Sequence, residues 1–184
     1  MFSFGISDEQ RLARRLRNGD AGAMQEFYAL HSTYLAGVCA RYITDEEDRK
    51  DVFQDALVNI ITHISDFHYQ GDGSLKAWAK RIVVNQALMH LKAVHNHELL
   101  PLDREVVDEA EDPPVSDIPP EELHRMISEL PPGYRTIFNL YVFEGWSHKE
   151  IAQLLGISEG TSSSQLHRAK NMLAKMIRMY HQLK

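Results

Sequence analysis

The spacing of apolar residues predicts helices along most of the chain. From about residue 21 to residue 43, Phe27, Leu30, Tyr34 and Val38 recur every three or four positions, which places them on one helical face. A helix from about residue 46 to residue 64 has a wider apolar face, made of Val52, Phe53, Ala56, Leu57, Ile60, Ile61 and Ile64. No segment keeps a two-residue alternation, so the pattern predicts an all-α chain without a sheet.

Start and stop signals set the limits of the other helices. The segments 7–10 and 44–47 fit the capping-box pattern, and the first helix is expected to end near Asn18, before Gly19. Residues 68–73 contain two glycines and predict a loop, after which Ser74 caps a fourth helix that runs to about Val94. Two short helices follow at 121–130 and 133–144, and they are ended by the prolines at 131 and 132 and by Gly145.

Charge divides the chain into three parts. The net charge is −1 over residues 1–97, −9 over 98–122 and +4 over 123–184. The acidic part also contains five prolines, which break helices. The same segment has few apolar residues that could form a core. We therefore expect two small helical domains, 1–97 and 122–184, joined by a flexible acidic linker at 98–121. The alternative is a long loop on one continuous domain, an arrangement that is uncommon.

The strongest local pattern lies between residues 147 and 177. A capping box at 147–150 opens a short helix with Ile151, Ala152, Leu154 and Leu155 directed inward. Gly156 ends that helix, Ile157 fills the corner, and Ser158 caps the next helix. Two helices joined by a short turn that contains glycine are typical of a helix-turn-helix, whose second helix enters the DNA major groove.

The second helix of this pair has two distinct faces at about 100° per residue. Its apolar face contains Leu166, Ala169, Leu173, Met176 and Ile177. Its opposite face contains Ser163, Ser164, His167, Arg168 and Asn171. Small and hydrogen-bonding side chains suit a surface that approaches base edges and phosphates, although a plain solvated face has the same composition.

Bulk features exclude several functional classes. The chain has 184 residues, one cysteine, and no apolar run near the ~20 residues of a membrane helix. Its start lacks the pattern of a secretory signal, so we expect a cytoplasmic protein. We find no catalytic triad, phosphate loop or metal motif, and expect no enzyme activity, cofactor or small-molecule substrate. His90, His95 and His97 have no cysteine or well-placed carboxylate beside them, so a metal site is not expected.

Several segments resemble the extracytoplasmic-function (ECF) sigma factors of the sigma-70 family. The C-terminal segments are ISELPPGYRTIF (127–138), EGWSHKEIAQLLGISEGT (144–161) and LHRA (166–169). They resemble the domain that binds the −35 promoter element. In the N-terminal half, DVFQD (51–55) resembles the polymerase-binding helix. Phe67, Leu75, Trp78 and RIVVN (81–85) resemble the segment that recognises the −10 element.

The resemblance assigns expected roles to individual residues. The −35 contacts are expected at Thr161, Ser163, Ser164, His167, Arg168 and Asn171. The −10 contacts are expected at Phe67, Tyr69, Lys76, Trp78, Lys80, Arg81 and Asn85. The polymerase contacts are expected along the acidic face of the third helix, at Asp48, Asp51, Gln54 and Asp55. In the family, the linker passes through polymerase channels that otherwise hold nucleic acid.

Two −10 features also follow from the residues themselves. Asn85 shares a helical face with Trp78, Ile82 and Met89, and an amide in an apolar stripe needs a hydrogen-bond partner. That partner is either a neighbouring helix or the edge of a base. In the preceding loop, the rings of Phe67, His68 and Tyr69 are candidate stacking surfaces for single-stranded bases, while Lys76 and Lys80 are candidate phosphate contacts.

This sequence departs from the family at three positions of the recognition helix. Ser162 stands where valine is usual, and we expect it to be buried with its hydroxyl bonded to the carbonyl of Ser158. Ser163 and Gln165 stand where lysine or arginine is frequent, so promoter binding should depend more strongly on polymerase. The loop between residues 67 and 75 is longer than is common in the family.

The expected function is therefore that of an ECF sigma factor with three partners. These are core RNA polymerase, promoter DNA and an inhibitory anti-sigma factor, which is often anchored in the membrane in this family. One alternative is a stand-alone helix-turn-helix regulator, whose N-terminal part serves dimerisation or sensing. A second is a protein-interaction module without promoter activity.

Overall fold

The computed structural model describes residues 7–94 and 117–183, and every regular element within those ranges is helical. Contacts between backbone positions divide the chain into two compact units, Met1–Leu91 and Lys92–Lys184. The expected all-α fold is thus confirmed for the described residues. Most of the expected linker, as well as His95 and His97, lies outside them.

Over residues 7–94, the structure describes four α-helices and one short turn. They are α1 (Asp8–Arg17), α2 (Ala21–Tyr42), α3 (Glu46–Thr62), a 3₁₀ turn (Ile64–Asp66) and α4 (Ser74–Val94). The apolar faces of these helices form one core around Leu12, Leu16, Leu35, Val38, Tyr42, Ile60, Leu75, Val83 and Val84. The helix limits agree with the sequence pattern to within about two residues, as expected for frayed ends.

Side-chain caps begin α1, α2 and α3. Ser7 accepts the N–H of Gln10, as expected. The cap of α3 is Asp45, which accepts the N–H groups of Glu47 and Asp48, each at 2.9 Å. The pattern had placed this cap on Thr44, one residue earlier. Both residue types can cap a helix, and aspartate is the preferred one.

The first turn of α4 is capped from a distance. The carboxylate of Glu9, on α1, accepts the N–H groups of Gly73 and Leu75 at 2.9 Å each. The hydroxyl of Ser74 also donates to Glu9, at 3.3 Å. The expectation that Ser74 caps α4 is therefore wrong, because Ser74 is itself the first residue of the helix. The backbone N–H groups at the helix start are bound instead by the Glu9 carboxylate, which lies at least 64 positions earlier in the chain.

The buried stripe of α2 differs from the one that the pattern predicts. Phe27 and Val38 are buried, but Leu30 is 63% exposed and Tyr34 is 40% exposed. The stripe instead passes through His31, whose ring lies 4.9 Å from that of Phe27, and continues through Leu35, Cys39 and Tyr42. Residues three or four positions apart can belong to either of two neighbouring faces of a helix. The packing of adjacent helices determines which of the two faces is buried.

The C-terminal unit contains α5 (Pro120–Ser128), α6 (Pro132–Phe138), α7 (His148–Leu155) and α8 (Glu159–Gln182). After α6 the chain continues as a π-helical turn over Asn139–Phe143. The long helix α8 packs against α5 and α6, and their core contains Ile118, Met126, Leu130, Tyr134, Ala169, Leu173 and Ile177.

The expected linker extends a few residues too far toward the C-terminus. Ile118 is buried in the core of the C-terminal unit, and α5 begins at Pro120. Proline is well tolerated in the first helical turn, where its missing N–H would have had no partner. Pro119 and Pro120 therefore mark the start of this helix and do not continue the linker.

A buried arginine holds α5 to α6. Arg135 is buried, and its Nη1 donates to the carbonyls of Ser128, at 2.7 Å, and Leu130, at 3.0 Å. These carbonyls stand at the end of α5, where helices lack internal donors. Burial lowers the pKa of the Arg135 guanidinium, and the two carbonyl acceptors stabilise its charge in this position.

The helix-turn-helix forms as its sequence predicts. The Ser147 and Glu150 side chains complete a reciprocal capping box, and Gly156 adopts a left-handed conformation at φ 70°. Ser158 then caps α8 by accepting the N–H of Thr161 at 3.0 Å. The exception is Leu154, which was expected to point inward and is 42% exposed, whereas Ile151 and Ala152 are buried.

Ser162 is buried as expected, but its partner is a different one. Its hydroxyl lies 2.9 Å from Nδ1 of His148, the first residue of α7. The hydroxyl therefore bonds to this ring and not to the Ser158 carbonyl, which accepts the N–H of Ser162. The His148 ring in turn stacks on Tyr141, with the ring centres 4.7 Å apart. A polar contact therefore fixes α7 against the first turn of α8.

Cys39 should react slowly with thiol reagents in the folded protein. It is fully buried, and this burial raises the pKa of its thiol to about 11. The neutral, buried thiol contributes to the free energy of unfolding because its folded pKa lies above that of an unfolded cysteine, ~8.5. This contribution is complete below pH ~8.5 and is lost as the pH rises toward 11. We expect Ellman's reagent at pH 8 to label Cys39 at a small fraction of the rate seen in urea. A native rate close to the urea rate would contradict this assignment.

Ser162→Ala should lower the free energy of unfolding of the C-terminal unit by about 1–2 kcal/mol, since it leaves the His148 ring without its partner. The measurement is a urea titration followed by Trp146 fluorescence in a Trp78→Phe background. Ser163→Ala, at the exposed neighbouring position, is the control and should change the value by less than ~0.5 kcal/mol. Equal values for the two variants would show that the His148–Ser162 contact does not stabilise the unit.

Candidate polymerase and nucleic-acid interfaces

The acidic face of α3 is accessible along most of its length. Asp51, Gln54 and Asp55 are exposed, while Val52 and Ala56 on the opposite side are buried in the core. The fourth residue of this face, Asp48, is half-buried, and its carboxylate lies 3.4 Å from Nε2 of His90 on α4. The Asp48–His90 pair was not predicted, because no local pattern links two residues 42 positions apart. It joins the acidic face to α4.

An apolar groove lies beside the acidic face. It has a volume of about 270 Å³ and is lined by Met24, Phe27, Tyr28, Leu57, Ile60 and Ile61. The pattern places Leu57 and Ile61 on the apolar face of α3, and the structure leaves Leu57 half-buried and Ile61 exposed. The sequence carries a signal for this groove, because the apolar face of α3 is wider than one neighbouring helix can bury. The acidic face is therefore flanked by apolar surface.

The loop that precedes α4 places its three aromatic rings differently. Phe67 is only 3% exposed and packs against Trp78, with the ring centres 5.5 Å apart. Its ring is not an accessible stacking surface in this structure, contrary to the expectation. Tyr69 is half-buried, and its hydroxyl bonds to Ser7 at 2.7 Å and to Asp72 at 2.8 Å. His68 is exposed and remains available for stacking on a base.

Helix α4 carries an exposed ridge of hydrogen-bonding and cationic residues. Arg81 and Asn85 are exposed one turn apart, and Met89 is exposed one turn beyond them. The side chain of Asn85 makes no hydrogen bond to any other residue in the described part of the chain. The alternative in which a neighbouring helix satisfies the Asn85 amide is therefore not realised, and the amide faces solvent.

Two lysines and a tryptophan also lie in the N-terminal half of α4. Lys76 is exposed and its ammonium lies 3.9 Å above the Tyr34 ring, a cation–π geometry that keeps the charge at the surface. Lys80 and Trp78 are half-buried. At about 100° per residue, Lys76 stands on the side of α4 opposite Asn85, so the accessible strip along α4 is the ridge of Arg81, Asn85 and Met89. Such a strip offers donors to phosphates and one free amide to a base edge.

The outer face of α8 presents most of the expected −35 contacts. Ser163, Ser164 and His167 are exposed, while Thr161, Arg168 and Asn171 are half-buried. Several of these groups are engaged within their own helix. The Ser164 hydroxyl donates to the Thr161 carbonyl at 3.0 Å, and the Asn171 amide lies 3.1 Å from the His167 ring. Arg168 makes no hydrogen bond or ion pair within the described residues.

Gln165 does not belong to this outer face. Gln165 is 3% exposed. Although lysine or arginine is frequent here in the family, this position is buried in this chain, so the glutamine does not take the place of a surface cation.

Among the residues that the structure describes, no group of three or more histidine, cysteine or acidic side chains is arranged to hold a metal ion. Over the same residues, no helix has the length and hydropathy needed to cross a bilayer.

Two family models match the two units separately. The model described as "Sigma-70 region 2" matches residues 27–96, and that described as "Sigma-70, region 4" matches residues 120–173. The first therefore covers the acidic face and the α4 strip. The second covers the helix-turn-helix.

Full-length relatives agree with these matches. RNA polymerase sigma-H factor of Pseudomonas aeruginosa is 28% identical and aligns over 92% of this chain and 93% of its own length. The ECF RNA polymerase sigma-E factor of Haemophilus influenzae is also 28% identical, over 92% of this chain and 95% of its own length.

One solved structure has a similar fold. It is the sigma factor RpoE of Bartonella quintana, in a co-crystal with the anti-sigma factor NepR. It has a TM-score of 0.51 at 18% identity and covers 84% of this chain and 96% of that one. The two family regions occur in order along the chain, and the full-length relatives align over both of them. The chain therefore belongs to the sigma-70 family, within its extracytoplasmic-function group.

Proposed function

We propose that this chain binds core RNA polymerase and directs it to promoters, with each of its two units recognising one promoter element. The observation that carries the proposal is the presence of both sigma-70 regions on separate compact units. A stand-alone regulator requires only the helix-turn-helix and does not account for the region 2 match. In this role the chain binds and positions DNA in the cytoplasm and catalyses no reaction.

The acidic face of α3 is the proposed polymerase contact. Exposed carboxylates at Asp51 and Asp55 suit a basic partner surface, and the neighbouring apolar groove supplies area that becomes buried on docking. Charge complementarity of this kind speeds encounter and fixes register, while apolar burial contributes most of the affinity. The half-buried Asp48 is held by His90 and shapes the end of the surface.

The strip along α4 is the proposed −10 contact. Promoter melting frees bases that enter protein pockets, and Asn85 presents an unsatisfied amide for one base edge. Arg81 supplies positive charge for the adjoining phosphates, and Lys76 and Lys80 supply it on another face of α4. Phe67 contributes indirectly, because its buried ring supports Trp78.

The outer face of α8 is the proposed −35 contact. Its small serines allow close approach to the major groove, and Arg168 has donors available for guanine or phosphate. We further propose that an anti-sigma factor inhibits this chain by covering these surfaces, as the similarity to a sigma factor crystallised with NepR suggests.

The first test is co-elution of the full chain with core RNA polymerase, followed by transcription from a genomic fragment library. We expect a stable complex and new start sites, whose alignment gives the promoter. A chain that ignores polymerase but binds a symmetric DNA site by itself would establish the stand-alone regulator instead. A chain that does neither would favour a protein-interaction module.

Asn85→Ala should lower the yield of open complexes roughly tenfold while leaving the affinity for core polymerase unchanged, because one base contact is worth about 1–3 kcal/mol. The measurement is permanganate reactivity of the melted strand on the promoter found above. Val94→Ala is the control, since it shortens an exposed apolar side chain on the same helix, at its far end and outside the ridge. A normal open-complex yield with Asn85→Ala would remove this residue from the −10 site.

A further inference from the structure

Helix α1 holds the loop that precedes α4 at three points. Glu9 accepts the N–H groups of Gly73 and Leu75. Ser7 bonds to the Tyr69 hydroxyl, and Arg17 donates to the carbonyl of Phe67. The region 2 match begins at residue 27, so α1 precedes the segment to which that family model applies. These contacts nevertheless fix the position of the loop that lies next to the proposed −10 surface.

A recess separates α1 from this loop. Its volume is about 300 Å³, and its walls are formed by Gln10, Ala13, Arg14 and Arg17 on one side and by His68 and Tyr69 on the other. Because both walls are tied together by hydrogen bonds, the recess exists before any ligand binds. Its lining combines two guanidinium groups with aromatic rings, which are the two side-chain types that single-stranded nucleic acid requires.

The four arginines of α1 fall into two pairs with different surroundings. Arg11 forms an ion pair with Asp8, and Arg15 forms ion pairs with Asp20 and Glu26. In contrast, neither Arg14 nor Arg17 forms an ion pair within the described residues. The arginines that face the recess are therefore the ones whose charge is not neutralised by a neighbour.

The acidic side chains close to the recess are already engaged. Glu9 accepts hydrogen bonds at the N-terminus of α4, where the helix dipole partly offsets its charge. Asp72 accepts the Tyr69 hydroxyl, and this bond lowers the pKa of the Asp72 carboxyl. Neither carboxylate forms an ion pair with Arg14 or Arg17, so both guanidinium groups keep donors for an anion.

We propose that this recess binds the phosphodiester backbone of the melted −10 strand, with Arg14 and Arg17 as its phosphate contacts. The inference rests on the proposed function and extends the DNA surface to a helix outside the region 2 match. Arg14 and Arg17 lie one turn apart, and each guanidinium carries five N–H donors. Arg17 uses a donor on the Phe67 carbonyl and keeps others for a phosphate.

The test compares Arg14→Ala with Arg11→Ala in otherwise identical holoenzymes. Both variants remove one positive charge from α1, but only Arg14 faces the recess. The probe is a fork-junction DNA that carries the promoter identified above with its −10 strand single-stranded. We expect Arg14→Ala to weaken binding about five- to tenfold at 0.1 M salt and to reduce the slope of log K against log salt by about 0.7, the value for one single-strand phosphate contact. Arg11→Ala should change binding less than twofold.

A second measurement locates the contact. Neutral methylphosphonate linkages can be placed one at a time along the single strand. We expect one position at which the neutral linkage weakens DNA binding by the unmodified protein but does not weaken binding by Arg14→Ala any further. Arg14→Lys should restore part of the affinity, because a lysine still contacts phosphate as a point charge. Equal binding by Arg14→Ala and Arg11→Ala would overturn the inference. Failure of the unmodified chain to bind polymerase or fork DNA would instead overturn the proposed function.

Discussion

The surface proposed to capture DNA depends on one carboxylate, that of Glu9. A helix begins with backbone N–H groups that have no partner of their own, and α4 follows a loop with two left-handed glycines. Glu9 supplies the missing acceptor from α1. The same bonds therefore start α4, fix the loop beside it and join the first helix of the chain to the −10 surface.

Contacts between residues three or four positions apart could be predicted from the sequence, and contacts between helices could not. The Ser147 capping box and the left-handed Gly156 follow from residue type and spacing alone. The bonds from Glu9 to Leu75, from His148 to Ser162 and from Asp48 to His90 depend on which helix faces meet. A single sequence carries no signal for such pairs, although it correctly placed Ser162 in the interior.

The apolar pattern identified helices reliably but did not show what covers each face. The periodicity predicts the wide apolar face of α3, but it does not show that the edge of this face at Leu57 and Ile61 lines an open groove. Phe67 shows the opposite case, since an aromatic residue next to a glycine-rich loop was expected at the surface and packs under Trp78. Burial depends on the neighbouring helices, which the periodicity of a single helix does not describe.

The charges on the two DNA surfaces explain why polymerase should dominate promoter binding. Of the five residues on the outer face of α8, Arg168 is the one cation, and Gln165 is buried. Few phosphate contacts give the C-terminal unit a weak attraction to DNA by itself. When both units are held on one polymerase, binding of either element raises the effective concentration of the other unit at its own element. Specificity then comes from the simultaneous fit of two modest contacts. A small number of cations on each contact face is an advantage for this purpose, because it keeps either unit from holding the wrong DNA alone.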